Sequence, residues 1–167
     1  LLKINNLSII SHVFKRAEEA NIGEVVVATD DQEILKDVLK NGGKAILTNK
    51  NHKTGTDRIY EAYKKLNVNN IDYILNLQGD EPDINKDEII NLNNCMINHN
   101  AELGTLAAKI KDSKMFNDRN VVKVITDQKL EESNFPIALN FTRDNLSTDY
   151  QNIYHHIGIY SYKVSVL

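Results

Sequence analysis

The stretch YILNLQGDEPDINKDEII, residues 73–90, decides how this chain is interpreted. It opens with an apolar run, Tyr73 to Leu77, that is typical of a buried strand, and it closes where a helix pattern begins. The polar segment between them contains two adjacent carboxylates, Asp80 and Glu81. Neighbouring carboxylates repel each other, and desolvating either one is unfavourable without a compensating partner. Either water or a cation is therefore expected to meet this acidic pair.

Strand and helix patterns alternate on both sides of that stretch. Apolar residues recur at helical spacing in four segments, and short apolar runs, which are typical of strands, lie between them. The helical segments are 7–20, 30–43, 56–66 and 86–97, and the strand segments are 25–27, 44–48 and 73–77. Leu39 and Tyr60 are expected on buried helix faces. This alternation predicts right-handed crossovers and a largely parallel sheet.

The second part of the chain has a different pattern, with strands and little helix between them. Here we expect an antiparallel or mixed extension of the same sheet, or a hairpin arm. The four strand segments are 103–110, 120–127, 135–141 and 155–162. No repeat or Pro/Gly linker interrupts the chain, so residues 1–167 are interpreted as one domain.

Composition narrows the class of protein. Of 167 residues, 41% are hydrophobic and 26% charged, which is ordinary for a folded globular domain. A net charge of −3 argues against a general nucleic-acid binder. The single cysteine, Cys95, rules out a disulfide within the chain, favours a reducing compartment and is interpreted as a buried structural thiol. No apolar run approaches the roughly 20 residues of a membrane span, so the cytoplasm is the expected location.

Ligands of open α/β sheets bind beyond the carboxyl ends of the strands, and two polar stretches precede helices there. In VVVATDDQEI, either Asp30 or Asp31 caps the following helix, or Asp30 contacts a ligand. In NHKTGTDRI, Thr54, Gly55 and Arg58 suit an anion or the polar edge of a base at a helix N-terminus. The alternative is Thr56 as the helix cap and Arg58 on a solvated face.

The third polar stretch is the acidic segment itself. Mg²⁺ prefers carboxylate, water and phosphate oxygens, so Asp80 together with substrate phosphates can hold it. The alternative is a Gly-Asp turn before Pro82. Gln78 favours the ligand interpretation, because its amide can donate and accept a hydrogen bond.

The segment YHHIGIYSY offers a further set of polar side chains. His156 and Tyr160 share one face of a strand and can bind a polyhydroxylated, acidic substrate, whose carboxylate Arg143 can pair with. Each of the three has a purely structural alternative. A zinc site is not expected, since no ligand pairs occur at the usual spacing.

Taken together, these motifs resemble a known family. VVVATDD, GGKAILT, HKTGTDRI, ILNLQGDEP, GTLAAKI, NVVKVITD, ALNFTR and HHIGIYSY follow the order and spacing of the 3-deoxy-manno-octulosonate (Kdo) cytidylyltransferases, or CMP-Kdo synthetases. The resemblance covers essentially the whole chain. It implies a three-layer α/β/α, Rossmann-like nucleotide-diphospho-sugar transferase fold with a mixed sheet.

The resemblance also implies an activity. The family joins CTP and Kdo into CMP-Kdo and pyrophosphate with Mg²⁺, its product feeds lipopolysaccharide synthesis, and it commonly forms homodimers. Carried over, Asp80 is similar to the metal-binding aspartate and is the catalytic candidate. Contacts to the sugar acid are implied for Gln78, Arg143, His156 and Tyr160, and contacts to the cytidine for Thr54, Gly55 and Arg58.

The chain departs from the family pattern at both ends. The family begins with a strand and a basic phosphate loop, and it continues past GIYSY with further metal and sugar ligands. We therefore expect a truncated member with little or no transferase activity of its own. The alternatives are a cytidylyltransferase for a sialic-acid-like sugar, a non-catalytic nucleotide-binding domain, or a structural fragment without a ligand.

Overall fold

The computed structural model describes residues 1–144 and 152–167. The chain divides into two compact units, one formed by Leu1–Gly104 with Tyr160–Leu167 and the other by Thr105–Ile159. The interpretation of residues 1–167 as one domain stays a prediction. Among the described residues, no helix combines the length and the apolar character that a membrane crossing requires.

The first unit alternates helices with short strands, as the sequence predicts. Its sheets pair β1 with β2 antiparallel and β3 with β4 parallel, and β5 pairs antiparallel with the end of β9. The helices are α1 (Ile9–Ala20), α2 (Gln32–Lys40), α3 (Gly55–Leu66) and α4 (Lys86–Asn98). The strands are β1 (Lys3–Ile4), β2 (Leu7–Ser8), β3 (Val27–Thr29), β4 (Ala45–Leu47), β5 (Tyr73–Asn76) and the last residues of β9 (Ile153–Lys163).

Each of these helices begins at a side-chain cap. Ser8, Asp31, Thr54 and Asn85 accept hydrogen bonds from backbone N–H groups of the first turn, which have no partner inside the helix. Two alternatives from the sequence are decided here. Asp31 rather than Asp30 caps α2, and Thr54 rather than Thr56 caps α3.

The core of the first unit forms where α1 and α2 pack on the parallel strands. Phe14, Val27 and Val38 are its buried centre. Gly43 lies so close to this centre that a β-carbon there would be 2.7 Å from Val38 Cγ1. Two burial predictions are wrong, since Leu39 is 51% and Tyr60 45% exposed. Helical spacing marks a face but does not show how far the neighbouring elements extend over it.

The second unit is a mostly antiparallel arrangement, which confirms that the strand pattern changes along the chain. Strand β7 (Lys123–Thr126) pairs antiparallel with β8 (Ala138–Thr142) on one side and with the start of β9 on the other. A short helix, α5 (Ser113–Asn117), precedes β7, and β6 (Leu103–Ala108) contributes most of its residues here. The register of β7 on β8 shifts between Ile125 and Thr126.

Candidate nucleotide-binding site

The acidic segment follows directly on strand β5. The strand ends at Asn76, one residue before the end of the apolar run, and the N–H of Glu81 then donates to the carbonyl of Gln78 over 3.4 Å to form a turn. Gln78, Asp80 and Glu81 are all exposed. Within residues 1–144 and 152–167 neither carboxylate of the pair has a hydrogen bond or an ion pair. Water therefore solvates the adjacent charges, and Asp80 is accessible to a cation.

Packing against α1 favours glycine at position 79, which the sequence did not reveal. A β-carbon built on it would lie 2.9 Å from Ile10 Cδ1, at the start of α1. The glycine thus lets α1 approach the turn that carries Gln78 and Asp80. The close neighbour in this structure is a side chain of the protein itself.

The side chains at this turn supply only some of the oxygen ligands that a hard cation such as Mg²⁺ needs. Among the described residues, no group of three or more His, Cys, Asp or Glu side chains is arranged to hold a metal ion. Mg²⁺ commonly keeps several waters and takes one or two carboxylates together with substrate phosphates, so an exposed Asp80 satisfies what such an ion needs from the protein.

The second predicted stretch forms the start of α3. Thr54 Oγ1 accepts the N–H of Asp57 over 3.1 Å and donates to Asp57 Oδ2 over 2.7 Å. Gly55 is the first residue of the helix. The N–H groups of Gly55 and Thr56 have no hydrogen-bond acceptor in the described part of the chain. The N-terminus of α3 therefore has donors for a ligand, as the sequence predicts.

Arg58 is held by the protein and does not lie on a solvated face. Its Nη2 lies 3.2 Å from Asp30 Oδ2, and its Nη1 donates to Thr48 Oγ1 over 2.6 Å. Thr48 is buried and follows β4. Asp30, which the sequence left open as a cap or a ligand, is thus a partner of Arg58. This ion pair joins the segment after β3 to α3.

Glu61 is a residue that sequence reasoning missed. Its carboxylate accepts the N–H of Asn49 over 3.0 Å, contacts His52 Nε2 and lies 2.6 Å from Lys65 Nζ. The hydrogen bond from Lys65, followed by those from Asn49 and His52, lowers the pKa of Glu61 to about 2. The one available signal was the (i, i+4) spacing of Glu61 and Lys65. Through its contacts with Asn49 and His52, Glu61 holds the segment before Thr54 on α3.

The tyrosines of β9 lie beside α3 in the first unit. Tyr162 and Thr56 form a hydrogen bond between their hydroxyl groups over 3.1 Å, and the rings of Tyr160 and Tyr162 stack with centroids 6.2 Å apart. Tyr160 pairs with Asn76 in the β5–β9 register. Burial, and then the neighbouring Tyr162, raises the pKa of Tyr160, which is therefore a neutral hydrogen-bonding group at ordinary pH.

His156 and Arg143 belong to the second unit. His156 is buried, its Nε2 lies 2.9 Å from Thr105 Oγ1, and its ring meets Phe141 edge-on at 4.9 Å. Burial, and then the nearby His155, lowers the pKa of His156. Arg143 is exposed, and its Nη1 donates to the carbonyls of Arg119 and Asn120.

The predicted site residues are thus distributed over the two units. The first unit brings Thr54, Gly55 and Arg58 together at α3, places Gln78 and Asp80 on the turn after β5, and pairs Tyr160 with β5. Cys95 is a buried thiol of α4, as predicted, and burial raises its pKa.

Comparison with known proteins gives a consistent result. Residues 1–166 match the family model for cytidylyltransferases. The 3-deoxy-manno-octulosonate cytidylyltransferase of Thermodesulfovibrio yellowstonii is 43% identical, over 98% of this chain and 68% of that protein. The protein of the same name from Nitrobacter hamburgensis is 38% identical, over 100% of this chain and 64% of that protein. The chain spans about two thirds of the length of these curated relatives.

Solved structures show the same relationship. A CMP:2-keto-3-deoxy-manno-octonic acid synthetase complexed with CTP superposes with a TM-score of 0.86 at 34% identity, covering 99% of this chain and 67% of that one. A 4-diphosphocytidyl-2C-methyl-D-erythritol synthase from Anaerococcus prevotii, at 16% identity and a TM-score of 0.62, shares the fold. The α/β fold class is confirmed, and the chain belongs to the family of the 3-deoxy-manno-octulosonate cytidylyltransferases.

Proposed function

We propose that this chain serves the transfer of CMP from CTP to 3-deoxy-D-manno-octulosonate, which releases pyrophosphate, for lipopolysaccharide biosynthesis. That the 167 residues have little or no transferase activity by themselves stays a prediction. The observation that carries the proposal is the likeness, at a TM-score of 0.86, to a synthetase of the same acid that was solved with CTP. In such a reaction the anomeric hydroxyl attacks the α-phosphate, and the protein contributes mainly positioning and charge neutralisation.

In this proposal the start of α3 binds the cytidine. Support comes from the N–H groups of Gly55 and Thr56, which point out of the helix, and from the capped, well-defined position of Thr54. Arg58 acts mainly by fixing this region, because its guanidinium is already engaged by Asp30 and Thr48.

Mg²⁺ is proposed as the cofactor, with Asp80 as its ligand and therefore as the catalytic candidate. When bound, the ion neutralises phosphate oxygens of the nucleotide. Asp80 supports this role by being exposed at the end of β5.

Gln78 and Tyr160 of the first unit are proposed to contact the sugar acid, and the contacts predicted from the sequence for His156 and Arg143 stay a separate prediction. Gln78 and Tyr160 offer an amide and a neutral phenol in the first unit, and His156 and Arg143 offer an imidazole and a guanidinium in the second. The lowered pKa of His156 keeps its imidazole neutral near pH 7, so it can serve a sugar hydroxyl as donor or acceptor. Only Nη1 of Arg143 is engaged by the described residues, which leaves Nη2 for a carboxylate.

We also propose a homodimer in the cytoplasm. The support for a second copy is the exposed apolar surface formed by β8 and the residue before it. There, Ile137, Leu139 and Phe141 are 66%, 63% and 45% exposed. These three exposed apolar side chains lie within five residues of the chain, and exposed apolar surface of this kind is typical of an interaction site.

Mg²⁺-dependent CTP binding tests the proposal on the 167-residue chain. Calorimetry is expected to detect CTP binding that EDTA weakens, and that Asp80→Ala weakens at least about tenfold, since one ligand of the ion is removed. Asp83→Ala is the matched control, because Asp83 is an exposed carboxylate of the same segment. Asp80→Ala should melt at the wild-type temperature.

Pyrophosphate release distinguishes the remaining alternatives. Release from CTP with Kdo, and not with a sialic acid, supports the proposed reaction. CTP binding without release for either sugar would favour a nucleotide-binding role alone. Equal CTP affinity of the wild type and Asp80→Ala would show that the metal assignment is wrong, and a wild type without CTP affinity would overturn the proposed function.

A further inference from the structure

The hydroxyl group of Thr105 contacts three groups of β9 at once. Thr105 lies in β6 and is half-buried. Its Oγ1 lies 2.6 Å from the carbonyl oxygen of Ile159, 3.2 Å from that of Ile157 and 2.9 Å from Nε2 of His156. All four residues belong to the second unit. A hydroxyl has one proton to donate and two lone pairs that accept, so Thr105 cannot be the donor in every one of these contacts.

The carbonyl of Ile159 decides where that proton lies. A carbonyl oxygen only accepts, and 2.6 Å is a hydrogen-bonding distance between two oxygens only if a proton lies between them. The proton of Thr105 is therefore directed at the main chain of β9. A lone pair of Oγ1 then accepts the hydrogen bond from His156, which means that Nε2 of His156 carries a proton.

The imidazole of His156 is held on other sides as well. The main-chain N–H of His156 donates to the carbonyl of Val122 over 2.9 Å, and its ring packs at 78° against the ring of Phe141. Burial, and then the nearby His155, lowers the pKa of His156, so the ring is neutral near pH 7. A neutral imidazole that is protonated at Nε2 has its lone pair at Nδ1 and is an acceptor there.

We propose that Thr105 is a positioning residue for His156, whose hydroxyl holds the imidazole as the Nε2–H tautomer so that Nδ1 is the atom that accepts a hydrogen bond. A ligand group that meets this nitrogen must donate, which a sugar hydroxyl does and an ionised carboxylate does not. This narrows the role of His156 to that of an acceptor. Its use for a hydroxyl of the sugar acid rests on the proposed function, whereas the tautomer rests on the contacts of Thr105 alone.

Nitrogen-15 nuclear magnetic resonance of the ligand-free 167-residue chain near pH 7 tests the tautomer directly. A protonated and a bare imidazole nitrogen differ widely in chemical shift, and the ring signals of His156 are assigned by their loss in His156→Gln. We expect the wild type and Thr105→Ser to show a protonated Nε2 and a bare Nδ1. Thr105→Val lacks the hydroxyl, so both signals should move towards the average of the two tautomers. Kdo, added to the wild type with CTP and Mg²⁺, should shift the Nδ1 signal.

Thr126→Val is the matched control. Thr126 is a buried threonine of the same unit, and its hydroxyl donates to the carbonyl of Gln128 over 2.7 Å. Its replacement also removes a hydroxyl that serves a main-chain carbonyl, so it should lower the melting temperature as Thr105→Val does. It should leave the two ring signals of His156 at their wild-type positions. A merely structural role of Thr105 predicts no difference between the two variants in these signals.

Several outcomes would overturn the inference. A proton on Nδ1 of His156 in the wild type would show that Thr105 donates to the ring, and this spectrum decides the point even if Thr105→Val does not fold. Wild-type ring signals in Thr105→Val would show that Thr105 does not fix the tautomer. An unmoved Nδ1 signal in a chain that binds CTP would exclude the sugar hydroxyl as its donor. A wild type without CTP affinity would overturn the proposed function and leave the tautomer result standing.

Discussion

Arg58 Nη2 lies 3.2 Å from Asp30 Oδ2, so a residue of α3 is paired with the residue that follows β3. The same guanidinium donates to the buried hydroxyl of Thr48, which follows β4. One side chain therefore joins the ends of two parallel strands to the helix that is proposed to bind the nucleotide. Its planar, forked donors are what makes the double contact possible.

Replacing Arg58 by lysine should loosen this junction. Lysine keeps the charge but cannot reach Asp30 and Thr48 at once, so we expect a loss of about 1 to 2 kcal/mol in unfolding free energy. CTP affinity should fall at least about tenfold, because the start of α3 is no longer fixed. Urea denaturation and calorimetry measure the two effects. Arg16→Lys, in the exposed pair with Glu19, is the control, and equal effects at both positions would contradict the role given to Arg58.

Glu61 should make the free energy of unfolding decrease at acidic pH. Its folded pKa of about 2 lies below the unfolded value of 4.5, so its contribution is complete above pH 4.5 and is lost as the pH falls towards 2. Glu61→Gln removes the charge and should flatten this part of the profile of unfolding free energy against pH. Glu19→Gln, at an exposed site, should leave the profile unchanged. A Glu61→Gln profile as steep as the wild type between pH 4.5 and 2 would show that other carboxylates cause the loss.

His156 should make the stability of the protein depend on pH in a higher range than Glu61 does. Burial lowers its folded pKa below the ordinary value of 6.5, so the unfolded chain takes up the proton first as the pH falls. Stability should therefore be complete above pH 6.5 and decrease below it until the folded pKa is passed. Nuclear magnetic resonance titration reads the pKa directly. His156→Gln should weaken the pH dependence of the melting temperature, whereas His99→Gln, at an exposed helix end, should not. A folded pKa at or above 6.5 would refute this prediction.

Gly43 should not tolerate a side chain. An added β-carbon would lie 2.7 Å from Val38 Cγ1 and 3.0 Å from two ring carbons of Phe14, all in the buried centre of the first unit. Overpacking of this kind costs about 1 to 3 kcal/mol, so Gly43→Ala should lower the melting temperature clearly. Gly23→Ala is the matched control, since no atom lies within 4 Å of its added carbon. Equal melting temperatures for the two variants would contradict the packing shown here.

Local features of the fold could be predicted from the sequence because they depend on neighbouring residues. Helical periodicity located α1 to α4, and the pair of aspartates after the first strand segment was correctly expected to include a helix cap, which is Asp31. The motifs around Gly55 and Asp80 identified the family. Boundaries were less accurate, since β3 begins at Val27 although the apolar run begins at Val25. The exposure of Leu39 and Tyr60 was missed, because periodicity does not measure how much of a face is covered.

Local sequence determined the class of fold, the order of the elements and the family, because backbone preferences and apolar spacing act over a few residues. Only the tertiary structure decided which polar side chains meet. Thr56 and Tyr162 are 106 positions apart and share a hydrogen bond, and Arg58 joins Asp30 to Thr48. Such contacts depend on how whole elements dock, and that depends on the packing of the core rather than on the residues beside each partner.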